Sequence, residues 1–352
     1  SAVQTSKTIL NEDLPSVFIN NLPDASTFLN AATPYVAYGF VPHNRIFYAI
    51  EYNAGVEQQF SRTLVGDIDY VGSGDHNELI QATGNTAKVP GPGSLSSRGQ
   101  PYPQYGGPFN FTMSTGPASY SALQAKLQKS MSNGLFFLAA YTWSKSLDIQ
   151  SDAYAAAPEN VYNLHADWGP SDYNIAQMFV FSSVYALPFT SDRYFHSRAT
   201  KGLGYLANDW NVSAIVSLHS GAPFSVYASG DVANVGGGGQ RAEQIGNPFA
   251  GFHRSINEWF NTAAFANPAQ YTFGNAGRNS LTGPSYKDLD VNAYKNILIT
   301  QRITLQFRSE FYNILNHANY NTPANTVLSS SLGKITSAGP PREIQFALKV
   351  MF

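Results

Sequence analysis

Cysteine is absent from the 352-residue chain, and charged residues are scarce. Without cysteine the chain forms no disulfide, thiolate nucleophile or cysteine-ligated metal centre, which excludes a disulfide-stapled secreted scaffold. Lys, Arg, Asp and Glu make up 12% of the residues, against roughly 25% in a typical soluble domain. The formal net charge of -2 leaves no basic excess for binding phosphates, so nucleic acid is not an expected partner.

Long hydrophobic runs are also missing. The longest apolar stretch, Leu135–Tyr141, is far shorter than the roughly 20 apolar residues that a transmembrane helix needs. Hydrophobic residues nevertheless make up 43% of the chain and aromatic residues 14%, a composition that predicts a folded chain. Any crossing of a membrane is therefore predicted to use strands.

Apolar and polar side chains alternate along many segments, which is the period-2 pattern of strands with two different faces. In 302–312, for example, Ile303, Leu305, Phe307 and Phe311 share one face and polar side chains share the other. Most of the predicted strands exceed the usual five or six residues and approach the nine to eleven that cross a bilayer. The predicted strands are 46–59, 62–73, 120–131, 135–147, 174–187, 208–220, 288–294, 302–312 and 343–352.

The connections between these strands alternate between short and long. Tight turns are predicted near residue 60, at Asn133-Gly134 and around Thr300, and a medium connection at 188–207 lies on the same side. Short turns on one rim and long loops on the other are the plan of an outer-membrane barrel. The predicted fold class is all-β: an antiparallel up-and-down transmembrane β-barrel, seen in part as about nine to ten long strands. Its long extracellular loops are predicted at 74–119, 148–173, 221–284 and 314–342.

Two other classes share the alternating pattern. A soluble secreted β-rich module, for adhesion or carbohydrate binding, also has strands with one apolar face. A structural surface or fibre-forming protein arises if unpaired edge strands recruit other chains. The soluble module requires Ile303, Leu305 and Phe307 to be buried against a second sheet, whereas the barrel turns them towards lipid.

Several strings recur in a characteristic order between about 120 and 352. They include YSALQAKLQK (120–129), AYTWSKS (140–146), SGAPFS (220–225), WFNTAAF (259–265), FGNAGRNS (273–280) and LQFRSEFYNILNH (305–317). In this order and at this spacing they resemble the barrel of TonB-dependent outer-membrane transporters, specifically the Oar-like, carboxypeptidase-regulatory-like group.

The resemblance implies a bacterial outer-membrane barrel that takes up a scarce or bulky nutrient through its extracellular loops. It implies three partners: outer-membrane lipid, the barrel-assembly machinery, and TonB acting through a plug domain that is not recognisable in this chain. Residues 46–352 are expected to be the C-terminal part of a larger barrel, and 1–45 an extracellular loop or irregular segment. The alternating residues Phe346, Leu348, Val350 and Phe352 look like the C-terminal assembly signal of the family.

No motif for catalysis or metal binding is present. The seven histidines are dispersed, and the sequence has neither HExxH nor GxSxG. We therefore expect no enzyme activity, no catalytic or metal-binding residues and no cofactor. The four-glycine run 236–239 lacks the residues of a phosphate-binding loop and is predicted to be a flexible loop tip.

The polar strand faces are predicted to line the water-filled interior of the barrel. The carboxylate pairs Asp67/Asp69 and Asp288/Asp290 lie two residues apart, so each pair shares one face of a strand. We interpret them as part of a polar wall rather than as a glycosidase pair. The predicted interior side chains are Gln124, Lys126, Gln128, Asp290, Arg302, Arg308 and Glu310.

Ligand capture is predicted in the long loops, through aromatic side chains that stack on sugars or on the flat parts of chelates. The candidate contacts are Tyr105, Tyr162, Trp168, Trp259 and Tyr271. The same side chains also suit packing of the loops against one another. The ligand class stays open between a small molecule, a glycan and a peptide.

Overall fold

One antiparallel sheet dominates the computed structural model, which describes residues 38–40, 44–103, 106–152, 157–188 and 208–352. Nine long strands of the described chain follow one another across this sheet in sequence order. They are β1 (Tyr48–Ser61), β2 (Leu64–Gly84), β3 (Phe109–Ser132), β4 (Leu135–Asp148), β5 (Gln177–Ala186), β6 (Trp210–His219), β7 (Tyr286–Leu298), β8 (Thr304–Tyr312) and β9 (Glu343–Met351).

Short elements complete the regular structure of the described residues. Tyr38–Phe40 pairs in parallel with β3, and Gly169–Pro170 pairs with the end of β4. None of the described helical segments has the length and apolar character to cross a membrane. The remaining short strands and the 3-10 helices are Pro223–Phe224 with Leu281–Thr282, Glu243–Gln244 with Phe265–Ala266, and Ser96–Arg98, Leu164–Asp167 and Thr262–Ala264.

The nine strands lie where the alternating pattern predicts them, but β2, β3 and β7 are much longer than predicted; β7 spans Tyr286–Leu298 rather than 288–294. β2 ends at Gly84 rather than at 73, and β3 begins at Phe109 rather than at 120. Their pairing shifts register between Asp75 and Leu79, where Asn77 has a φ of 60°. This irregularity interrupts the period-2 pattern, so the hairpin continues past the point where the pattern stops.

The connections divide between the two ends of the sheet as predicted. One end carries short turns and the connection between β5 and β6. The turn at Asn133 (φ 53°) and Gly134 (φ 78°) has the two positive φ values of a tight hairpin. The other end carries four long loops, which we name L1 (85–108), L2 (149–176), L3 (220–285) and L4 (313–342).

Strand register separates the side chains into an apolar face and a polar face. Between β8 and β9 the apolar pairs alternate with the polar ones, because directly opposed residues share a face. The apolar pairs are Leu305/Val350, Phe307/Leu348 and Phe311/Ile344, and the polar-face pairs are Gln306/Lys349, Arg308/Ala347 and Glu310/Gln345.

The apolar face has no second sheet over it among the described residues. Leu348 is 70% exposed and Phe346 66% exposed. Phe307 is only half-buried, and its ring contacts lie within the same sheet, with Trp210 and Phe346. The burial that a soluble sandwich requires is therefore not observed among the described residues, which agrees with the predicted barrel.

The register places several lysines on the apolar face, namely Lys129, Lys145, Lys287 and Lys295. Lys295 lies opposite Trp210 and Phe307. Its side chain is buried, and Nζ donates to the backbone oxygen of Asn208 at 2.6 Å and to its Oδ1 at 2.7 Å. Asn208 belongs to the connection between β5 and β6. The lysine thus reaches the rim with its ammonium group while its methylene chain stays on the apolar face.

All the predicted interior residues except Arg302 lie on the polar face. Asp67 pairs with Lys126 across β2 and β3, with Nζ 3.1 Å from the carboxylate. The pairs Asp67/Asp69 and Asp288/Asp290 each lie on this face, as predicted. The prediction for Arg302 is wrong, because hydrogen bonds between Ile303 and Thr300 close a turn and β8 begins only at Thr304.

The sheet does not close within the described residues. β1 and β9 are the two ends of its strand order, so each pairs with only one long strand. Such edges favour pairing with further strands. That these strands are the C-terminal part of a larger barrel remains a prediction, and the segment 1–45 lies almost entirely outside the described residues.

Candidate functional site in the loops

The largest buried apolar cluster of the described chain lies in the loops rather than in the barrel wall. It joins L3 to L4, and Trp259 and Leu332 pack against it. A second cluster joins L1 to L3 through Ala87, Ala233 and Val235. The loops therefore form a packed unit, here called the loop body. The first cluster consists of Phe224, Val226, Ala242, Phe260, Ala264, Phe265, Ala276, Leu281 and Val327.

Arg241 ties L3 to L2 through buried ionic contacts. Its guanidinium group lies 3.0 Å from a carboxylate oxygen of Glu159 and also binds the carboxylate of Asp167. The same group donates to the backbone oxygens of Ala276 and Ala166, at 2.9 and 3.0 Å. All three ionic side chains are almost fully buried, so the contact depends on complete pairing.

Arg278 makes a second connection, from L3 to the rim of the barrel. Its Nη1 donates at 2.6 Å to the carboxylate of Asp148, the last residue of β4. Nη2 donates at 2.9 Å to Ser151 and lies 3.6 Å from the carboxylate of Asp172. The loop body is thereby fixed to the strand that precedes L2.

The glycine run 236–239 is not a free loop tip, so that prediction is wrong. A Cβ at Gly236 would meet Leu95 and Pro108 of L1 at 2.8 Å, and Gly236 has a φ of 76°. Gly237 and Gly238 approach the backbone of L2. The run is thus the place where three loops meet closely, which only glycine permits at Gly236.

Burial changes the ionisation of the acidic groups around Arg241. Burial raises the pKa of Glu159 from its ordinary 4.5 to about 7, although the positive charge of Arg241 opposes this shift. Burial also raises the pKa of Asp167, again against the effect of Arg241. One cation therefore faces two buried carboxyl groups, and the first proton is taken up close to neutral pH.

The predicted aromatic contacts are mostly engaged in packing or hydrogen bonding. The Tyr162 hydroxyl donates to the backbone of Thr86 at 3.2 Å, which links L2 to L1. Trp259 donates from Nε1 to Thr282 at 2.9 Å and stacks with Arg254. Their role in ligand binding stays a prediction.

The two other described candidates lie at turns. Trp168 follows the 3-10 helix of L2 and is half-buried. Tyr271 is held in a left-handed conformation, with a φ of 67°, by a backbone hydrogen bond to Val232. Tyr105 lies outside the described residues.

A groove of about 460 Å³ opens on the surface of L3. Gln244, Asn247, Phe249, Ser280 and Leu281 lie along it, and none of the predicted aromatic contacts does. Sequence reasoning missed these residues because amides and a single phenylalanine form no motif. The signal in the sequence is the Gly-Asn-Pro run at 246–248, which predicts a turn and no binding function.

A family model supplies the identification. The model of the outer membrane beta barrel domain matches residues 1–345. The chain belongs to this outer membrane beta barrel family. Its place is accordingly the bacterial outer membrane, and the predicted fold class is confirmed. The match also agrees with the resemblance to a TonB-dependent transporter barrel.

Solved structures of other outer-membrane barrels are similar to the chain at low identity. The outer membrane transporter YddB from Escherichia coli is 10% identical with a TM-score of 0.44, over 86% of this chain and 32% of that one. The FrpB iron transporter from Neisseria meningitidis is 9% identical with a TM-score of 0.44, over 89% and 32%. This chain thus spans about a third of their length. No curated protein matches it.

Removing Arg241 is expected to open the loop body without unfolding the barrel wall. Arg241→Gln leaves two buried carboxyl groups without their cation, a change that typically costs about 3–5 kcal/mol. Hydrogen exchange of the full chain in detergent should show faster exchange in L2 and L3, with β4 to β9 unchanged. Arg302→Gln, in an exposed turn, is the control. Equal protection of L2 and L3 in both variants would contradict this role of Arg241.

The stability of the loop body should fall as the pH rises from about 4.5 to 7. In this window the folded loops hold a proton on Glu159 that the opened loops release, so increasing pH favours opening. Above pH 7 the dependence should level off. Hydrogen exchange, corrected for the intrinsic effect of pH, measures this profile. Glu159→Gln should reduce the slope and leave the part due to Asp167, and Glu258→Gln should leave the profile intact; a profile that rises with pH disproves the assignment.

Proposed function

We propose that the chain forms part of the barrel wall of a TonB-dependent transporter and that its loop body binds the transported nutrient. The observation that carries this proposal is the packing of L1, L2, L3 and L4 into one unit at a single end of a membrane sheet. Loops that merely connected strands would not need a buried apolar cluster and two buried arginines. A preformed surface at the outer end of a barrel is suited to capturing a ligand, because little ordering is left to occur on binding.

The polar face of the sheet supports a transport role. It carries side chains of both signs, including Asp67, Lys126, Arg308 and Glu310. A lipid-facing surface would not tolerate these groups, whereas the wall of a water-filled or plugged interior does. The ligand would pass along this face after leaving the loops.

Two partners belong to the proposal. TonB would act through a plug domain contributed by residues outside this chain. The barrel-assembly machinery would read the end of β9, where Phe346, Leu348 and Val350 are exposed on the apolar face and Phe352 follows. Both assignments rest on the resemblance of the strings between 120 and 352.

Growth experiments test the transport function. A host that carries the full-length gene is compared with its deletion strain on ferric chelates, neutral and acidic oligosaccharides, and oligopeptides, each as the limiting nutrient. We expect a gene-dependent advantage on one class that disappears when tonB is deleted. An advantage that survives tonB deletion, or none on any class, would overturn the proposal.

A further inference from the structure

The groove on L3 is electrically neutral. Gln244, Asn247 and Ser280 supply its polar side chains, and Pro248, Phe249 and Leu281 supply its apolar ones. The nearest acidic neighbour in sequence, Glu243, accepts a hydrogen bond from Asn275 at 2.7 Å. Because an anion, a cation or a charged chelate is bound by groups of opposite charge, the lining suits an uncharged ligand.

The groove offers both donors and acceptors. Asn247 uses Oδ1 to accept from the backbone of Phe249, and Gln244 uses Nε2 to donate to Gly246. Among the residues that the structure describes, Asn247 Nδ2, Gln244 Oε1 and Ser280 Oγ have no hydrogen-bond partner. One donor, one acceptor and one hydroxyl that does both can therefore pair with hydroxyl groups of a ligand.

Phe249 adds an apolar platform beside these polar atoms. Its side chain is 60% exposed, whereas Pro248 and Leu281 are buried beneath the groove. The exposed ring of Phe249 is suited to covering the apolar face of a sugar ring.

Hydrogen bonds and a buried contact fix the backbone that lines the groove. Asn261 Nδ2 donates to the backbone oxygens of Asn247 and Ala250, at 3.3 and 2.9 Å. Asn275 accepts from the backbone of Gln244 at 2.6 Å, and Leu281 belongs to the buried cluster of L3 and L4. Such preorganisation reduces the entropy lost on binding.

We propose that this groove is a binding site for a neutral oligosaccharide. Sugars present hydroxyl edges that pair with amides and C–H faces that cover an aromatic ring, so one ligand uses both halves of the lining. The inference rests on the proposed function and names the substrate class of the loop body. A lipid tail leaves the amides unused. An uncharged peptide would use both halves, in which case none of the oligosaccharide probes binds.

Binding measurements on the full-length protein in detergent test this assignment. The probes are neutral gluco-, xylo- and manno-oligosaccharides of six units, with hexagalacturonate as the acidic comparison. At least one neutral probe should bind, and Phe249→Ala and Asn247→Asp should each weaken it about tenfold. Asn247→Asp keeps the oxygen that accepts from the backbone of Phe249, and it replaces the free Nδ2 donor with a negatively charged acceptor.

Matched variants separate the groove from general damage to the loops. Tyr320→Ala removes another exposed ring, and Asn257→Asp changes another exposed amide; both should bind like the wild type. The assignment falls if no neutral probe binds, if only hexagalacturonate binds, or if the groove variants bind normally. A TonB-dependent growth advantage on chelates or peptides would then still support transport, so the two proposals fail separately.

Discussion

Buried pairing of Arg241 and Arg278 with carboxylates of L2 and β4 is the constraint on which the outer end of the molecule depends. A buried guanidinium group is tolerated only when each of its donors finds an acceptor, so the two arginines fix where L3 lies. Arg278 binds the carboxylate of Asp148 at the rim of the wall. Arg241 binds Glu159 and Asp167 in the middle of L2. The apolar cluster, the glycine run 236–239 and the neutral groove all include residues of L3, the loop that these two contacts hold.

The low charge content of the chain agrees with its two surroundings, lipid around the strands and a packed interior in the loops. The apolar face carries few charges: the register places Lys129, Lys145, Lys287 and Lys295 there, and the ammonium group of Lys295 reaches Asn208 at the rim. Other charges line the polar wall, as Asp67 and Lys126 do, or pair within the loop body, as those of Arg241 and Arg278 do. A chain with so few charges is therefore suited to two surroundings at once, lipid and a packed loop body.

Sequence reasoning identified the wall far better than the loops. The wall obeys a local rule, alternation with period two, and this rule located β4 and β9 almost to the residue. It failed at the outer ends of β2 and β3, where a bulge shifts the register. Such a shift depends on pairing between strands, which one segment does not reveal.

The loop body depends on contacts between distant positions. Arg241 lies 74 residues from Asp167, and Arg278 lies 130 residues from Asp148. No spacing rule connects such partners. Aromatic content led to the prediction of Tyr162 and Trp259 as ligand contacts, and both side chains make hydrogen bonds within the loop body. It did not predict Gln244 and Asn247, which line the groove.

The absence of cysteine from these 352 residues makes the central claim directly measurable, because a cysteine introduced along β9 is the only one in this part of the protein. The measurement is made in native outer membranes. The account predicts a period of two. Labels at 344, 346, 348 and 350 should be reached by a lipid-soluble quencher, and labels at 345, 347 and 349 by a water-soluble reagent. Uniform accessibility along β9, or the opposite assignment of the two faces, would contradict a membrane wall with a polar interior.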